Sequence, residues 1–405
     1  MSGHCHEAEK LAGTATEYGA GAPAESRTGG GAAAGDGTAA GDPTASGDPT
    51  ASGDRTASGD GARIRSEATV RAPATGAASV SELHAAGSYV LGFDIGGTKT
   101  SVTLAHPSGR VEVKRTVPTS PREGFERTFE RICRTGDEVI AEAARLARPV
   151  AWIGVSIGGP LDAGQGIIYS PPNLPGWDAI PLRRLLEERY GKPAVVEHDG
   201  LAGALAERLF GAAVGLNHVI FLTLGTGLGA GLILNGRPYR GAGGSAGNVG
   251  HVRMADDGPL VWGKPGCWES FSSGTGIAAL ARLRFPDLFP DGVTAKDVAE
   301  RARSGDPAAA EILNTSAEYL GRGLAMLMDV FNPEMIVLGS LGVRLKDLLL
   351  GRALEVARRE ALAEAWRDCR VVPSKLGERL DEYAPLAAVL ERLGIEPVPA
   401  PERAV

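Results

Sequence analysis

Twice in this chain an apolar run enters a glycine turn and returns as a second apolar run. Tyr89-Val-Leu-Gly-Phe-Asp94 leads through Ile95-Gly-Gly-Thr-Lys99 into Thr100–Ala105, and Val219–Leu224 leads through Gly225-Thr-Gly-Leu-Gly229 into Ala230–Leu234. Short runs rich in Val, Ile, Leu and Phe read as buried strands, and glycine permits the tight reversal between them. After the first hairpin the pattern predicts a strand at Val111–Val117, a helix over Gly124–Arg148 and a strand at Val150–Ile157 that ends in Gly158-Gly159-Pro160. Phe125, Phe129, Ile132, Val139 and Ile140 share one face of that helix. A helix at Leu182–Tyr190, a strand at Ala194–Glu197 and a small-residue helix at Leu201–Phe210 follow. After the second hairpin come a glycine-rich loop at 241–250, helices from Gly276 to Val330, a strand at Met335–Gly339 and amphipathic helices over most of the rest. This duplicated plan predicts two α/β domains, 88–198 and 199–405, with a cleft between them; the last helix is free to pack back on the first domain.

Residues 1–87 are a different polymer. They are dominated by Gly, Ala, Ser, Thr, Asp and Pro, and from Gly41 they repeat Gly-Asp-Pro-Thr-Ala-Ser twice, then once more with Arg55 in place of Pro. Such a segment buries too little apolar surface to offset its ordering entropy and is expected to be a disordered tail. It carries six Lys/Arg against eleven Asp/Glu, five of the seven net negative charges of the chain. The remainder is close to neutral without a dense basic run, which argues against nucleic-acid binding. No run of eighteen apolar residues and no basic-then-apolar start is present, so neither a membrane span nor a secretory signal is expected. Cys5, Cys133, Cys267 and Cys369 lie far apart, which suits a reducing, cytoplasmic setting.

In Asp94-Ile-Gly96-Gly97-Thr98-Lys99 two glycines can present backbone N–H groups to phosphate oxygens, Thr98 can add a hydroxyl, and Asp94 can hold water around a phosphate-bound Mg²⁺. Alone, this motif and Gly225-Thr226-Gly227-Leu228-Gly229 would each pass for a tight hairpin. Paired, each after the first strand of its own domain, they point to a nucleotide clamp. A third turn, Gly339-Ser340-Leu341-Gly342, suits an adenosine contact. Asp199 follows a strand and opens a helix, so it is either an N-cap or a carboxylate facing the cleft.

The ordered part resembles the ROK sugar kinases within the actin-like ATPase superfamily. The resemblance rests on Asp94–Lys99, Pro172-Asn173-Leu174-Pro-Gly-Trp177, Glu197-His-Asp-Gly-Leu-Ala-Gly-Ala-Leu-Ala-Glu207, Leu224–Gly229, Ala246-Gly-Asn-Val-Gly-His251 and Gly266-Cys267-Trp268-Glu269. It implies a two-domain actin-like (ribonuclease H-like) fold, ATP and Mg²⁺ as cofactors, and a small-molecule acceptor. It also suggests a homodimer, and places Asp199 as the base that activates the acceptor hydroxyl. Gly159, Asn173, His198, Asn248, His251 and Glu269 fall at acceptor-contacting positions.

The chain departs from the family where the acceptor and a zinc ion sit. His198 stands where the family carries Asn, and Asn248 where it carries Glu. Of the zinc knuckle only His251 and Cys267 remain, with Leu260 and Trp262 in place of cysteines, so no structural zinc is expected. Leu260 and Trp262 are expected to fill the vacated volume. Intact phosphate loops beside an altered acceptor side imply a phosphotransferase for a modified acceptor. A C7 cyclitol of the valienone or valiolone type, or an aminosugar such as kanosamine, would fit, as in antibiotic biosynthesis. Glucose is the alternative acceptor, and a non-catalytic sugar sensor or repressor a remote one.

Overall fold

A computed structural model describes residues 87–261 and 263–395; the expected tail, with its hexapeptide repeats, and Trp262 lie outside the described residues. The first sheet comprises β1 (Tyr89–Ile95), β2 (Lys99–Ala105), β3 (Val111–Pro118), β4 (Val150–Ile157) and β5 (Ala194–His198), in the order β3-β2-β1-β4-β5. The second comprises β6 (Val219–Leu222), β7 (Ala230–Leu234), β8 (Arg237–Pro238), β9 (Met335–Leu338) and β10 (Arg370–Pro373), in the order β8-β7-β6-β9-β10. In each sheet an antiparallel hairpin carries the glycine turn, and parallel strands extend the other edge. The two sheets thus share one topology. Strand β10 was not expected from sequence, where helices fill the C-terminal region; it pairs in parallel with β9, Met335 opposite Arg370.

The helices make three layers around these sheets. Helices α1 (Phe125–Arg145) and α2 (Leu182–Tyr190) cover the outer face of the first sheet, where Leu91, Phe93, Ile153 and Val155 meet Ile132, Val139 and Leu186. Between the sheets lie α3 (Asp199–Phe210) and the C-terminal helix. Leu205, Leu386 and Leu390 pack there with Val90 and Trp152 of the first sheet and with Phe221 and Val337 of the second. The outer face of the second sheet is covered by α4 (Trp268–Ser272), α5 (Gly274–Arg284), α6 (Ala295–Arg303), α7 (Pro307–Phe331) and α8 (Lys346–Glu360). The C-terminal helix is α9 (Leu380–Leu393). Neighbouring residues of a strand enter different layers: Val219 and Phe221 face the centre, Ile220 and Leu222 the outside. Burial on both faces is why these strands read as unbroken apolar runs.

Glycines make the central layer possible. Gly92 and Gly154 sit side by side on β1 and β4 and receive Pro385 of α9. A Cβ on Gly154 would strike the Pro385 carbonyl, and one on Gly231 of β7 the carbonyl of Gly200 at the start of α3. Glu207 is fully buried within this layer. Its carboxylate accepts from Ser374 Oγ, the Leu376 amide (3.1 Å) and the Ala212 amide (2.7 Å), which fastens α3 to the segment after β10. Among the described residues no helix is long and apolar enough to cross a membrane.

Candidate active site

The parallel strands β1, β4 and β5 end together, with Asp94 opposite Ser156 and Ile157 opposite His198. Their C-terminal ends gather Asp94, Gly158, Gly159, His198 and Asp199, the edge where open α/β sheets bind ligands. Asp94 is pushed up to about 6: burial raises it, the Ser156 hydrogen bond lowers it, the Asp381 and Asp199 charges raise it, and Lys99 lowers it. Asp199 is the first residue of α3, and its side chain is 45% exposed. The capping residue is His198, whose Nδ1 accepts the Gly200 amide at 3.2 Å; the same amide reaches Asp199 Oδ1 at 2.6 Å. With His198 in the capping role, Asp199 Oδ2 turns toward Gly158, where an added Cβ would lie 3.7 Å away. Gly159 packs against the His198 ring, leaving no room for a side chain.

The first glycine turn is closed by the Gly96 amide on Lys99 O (3.0 Å) and braced by Thr119, whose hydroxyl donates to Gly96 O at 2.6 Å. Gly97 lies against the Asn173 backbone, so the turn and the Pro172–Trp177 loop touch. A cavity of about 510 Å³ opens there, lined by Gly97, Arg122, Pro172 and Asn173 among others. Thr98 is exposed. Lys99 reaches Asp381 of α9 at 3.3 Å. That carboxylate also accepts from Ser101 (2.7 Å) and Lys114 (2.7 Å). Burial raises the Asp381 pKa, but the Lys114 and Ser101 hydrogen bonds and the lysine charges outweigh it and hold the group below its ordinary value.

The second glycine loop is tied down on three sides. Gly274 donates to Gly225 O (2.8 Å), Thr275 to Thr226 O (3.1 Å), and Leu341 of the third turn to Leu224 O (2.7 Å). Gly339 donates to Leu222 O, and Ser340 stands beside Gly225. Glu269, buried on α4, accepts the Leu228 amide at 2.7 Å and lies against Gly227. Because Gly200 rests on Ala230 and Gly231, Asp199 sits next to the strand that leaves this loop.

The expected acceptor residues are less gathered. Asn248 is exposed and its amide donates to Ser245 O within its own loop (3.0 Å). His251 is exposed, and its carbonyl accepts Lys264 Nζ. Cys267 is buried, and among the described residues no three His, Cys, Asp or Glu side chains come together as a metal site. Leu260 does not fill a vacated zinc volume: it is 67% exposed. On its two-residue ribbon Val261 is the residue turned inward, so the alternation of a strand turns Leu260 out. A small cavity of about 20 Å³, enough for one water, lies behind His198 between Glu197 and Arg240. Those two residues are ion-paired at 2.6 Å.

Ser156, Asp381, Thr119 and the Glu197–Arg240 pair belong to this site although sequence reasoning passed over them. Two of them left a signal: Ser156 as the lone hydroxyl in the apolar strand VAWIGVSI, and Glu197 as the lone carboxylate in AVVEH, where it opens a motif of the family resemblance.

The ROK family pattern matches residues 90–380. A glucokinase of Streptomyces coelicolor is 32% identical over 304 residues, 71% of this chain and 93% of its own. The crystal structure of a ROK hexokinase from Thermus thermophilus is 34% identical, with TM-score 0.65, and covers 75% of this chain and 99% of its own. A ROK family glucokinase from Streptomyces griseus, solved with glucose and AMPPNP, is 33% identical with TM-score 0.63, over 75% of this chain and 99% of its own.

Proposed function

This chain belongs to the ROK family, and on that premise we propose that it is an ATP-dependent kinase acting on the primary hydroxyl of a sugar-like acceptor. The observation that carries the reading is Asp199: a partly exposed carboxylate beside Gly158 at the joined ends of β1, β4 and β5. There it orients the acceptor hydroxyl and takes its proton late in the transfer. A loose phosphoryl-transfer transition state needs no stronger base, so a carboxylate positioned at the start of a helix suffices. The glycine-loop amides that donate to no described residue, those of Thr226 and Gly227 among them, bind the donor phosphates together with the hydroxyls of Thr98 and Thr226. Lys99, although paired with Asp381, adds a positive charge near the first turn.

The site suits a divalent cation. Asp94 is hard to ionise because burial and the carboxylates of Asp381 and Asp199 oppose it, and a cation would relieve that repulsion. Asp94 would hold Mg²⁺ through water, since among the described residues no three His, Cys, Asp or Glu side chains come together to ligate it directly. Bound there, Mg²⁺ neutralises phosphate charge.

For the acceptor, relatives named as glucokinases support glucose, whereas His198 and the neutral Asn248 support a modified hexose or a C7 cyclitol. A site built to hydrogen-bond given hydroxyls discriminates strongly against a mismatch. Comparison of kcat/KM for glucose, kanosamine and C7 cyclitols separates the two readings, and a clear lead for glucose removes the cyclitol. Asp199→Asn is expected to lower kcat by roughly 10²-fold or more while leaving thermal unfolding unchanged. Wild-type turnover in that variant would end the proposed mechanism.

A further inference from the structure

Glu269 occupies an expected acceptor position, yet one of its partners, the Leu228 amide, is on the donor side. Its Oε2 accepts the Leu228 amide at 2.7 Å inside a buried contact, and a Cβ on Gly227 would come within 2.9 Å of the same oxygen. The opposite side of Glu269 supports the acceptor loop, since a Cβ on Gly250 would lie 3.2 Å from Glu269 Cβ. The loop 225–229 is otherwise held by backbone bonds from Gly274 to Gly225 O, from Thr275 to Thr226 O and, within the loop, from Gly225 to Gly227 O at 3.0 Å, and by the Gly229 amide donating to the Thr223 side chain (Oγ1) at 2.9 Å. Between these points the amides of Thr226 and Gly227 donate to no described residue. The Leu228 amide, the next along the chain, is claimed by the Glu269 side chain, and the Gly229 amide after it by Thr223 Oγ1.

We infer that Glu269 is a positioning residue for donor binding, fixing the Thr226–Leu228 backbone so that the two preceding amides face the nucleotide phosphates before any acceptor arrives. The inference rests on the kinase reading. It assigns the carboxylate a role in ATP affinity that an acceptor contact alone would not give. The hydrogen bond needs an acceptor oxygen at this reach, not a charge, so Gln can replace Glu, whereas Asp is one methylene short and Ala has no acceptor.

The test is calorimetric titration of a non-hydrolysable ATP analogue with Mg²⁺ into acceptor-free protein. Glu269→Gln is expected to bind within about threefold of wild type or tighter, and Glu269→Asp and Glu269→Ala to bind about tenfold or more weakly, the loss of one buried hydrogen bond. Amide exchange of the nucleotide-free wild type gives a second readout that needs no variant. The Leu228 amide should exchange far more slowly than those of Thr226 and Gly227; equal rates would overturn the inference. Wild type that binds, with Asp and Ala variants that bind equally well and lose only acceptor affinity, overturns it too while leaving the kinase reading intact. Wild type that binds no nucleotide sinks both.

Discussion

At Asp94 the protein keeps a carboxyl in surroundings that resist its ionisation, and that resistance has a measurable cost in the apo state. The folded value of about 6 lies above the ordinary 3.8, so between pH 4 and 6 the folded protein holds a proton that the unfolded chain has released. Stability linked to this group is full below pH 4, is lost as pH rises through 6, and stays lost above. A shift of two units corresponds to about 3 kcal/mol at most. Asp94→Asn removes the titration, so the variant should be more stable than wild type by ~1–3 kcal/mol at pH 8, with the gain vanishing near pH 4. Phosphoryl transfer should be nearly abolished. Urea unfolding from pH 4 to 8 checks this; a difference that does not vary with pH would contradict it. Asp94 and Asp199 were legible because each is announced locally, by a glycine turn or by a strand-to-helix junction. Their neighbours were not: Asp381 lies 282 residues beyond Lys99, on an amphipathic helix that reads like any other.

The elements show where pattern reasoning carries and where it stops. Hairpins, long helices and the parallel strands were readable because burial on one or both faces writes a period into the residues. Strand β10 escaped because four residues, Arg-Val-Val-Pro, hold no period, and only pairing with β9 makes them a strand. Helix α9 was readable as a helix free to pack back on the first domain, but its side-chain grip on the first glycine hairpin was not. Through Asp381 it grips Lys99 and Ser101 on β2 and Lys114 on β3. Asp381→Ala should therefore destabilise the protein by ~1–3 kcal/mol, less than a fully buried pair because both lysines can still reach water. It should also raise KM for ATP several-fold while kcat falls less. An unchanged KM would show that the hairpin is held without this anchor.

On the scale of the whole molecule, α3 and α9 belong to both sheets at once. Phe221 and Val337 of one sheet and Val90 and Trp152 of the other pack into the same central cluster. Residues 87–395 are thus expected to unfold as one cooperative unit despite the duplicated topology. Calorimetric and van't Hoff enthalpies should agree, and two resolved transitions would count against it.

The glycines around the acceptor loop also mark how far the protein can be retuned in the laboratory. Gly247 has φ +96° and no space, since a Cβ there would run into the carbonyl of Ala230. Gly243, four residues earlier, has φ outside the left-handed region and open space around it. A library for new acceptor selectivity should diversify at Gly243 and Asn248 and leave Gly200, Gly231 and Gly247 untouched. Variation is cheap at the first pair and ruinous along that seam.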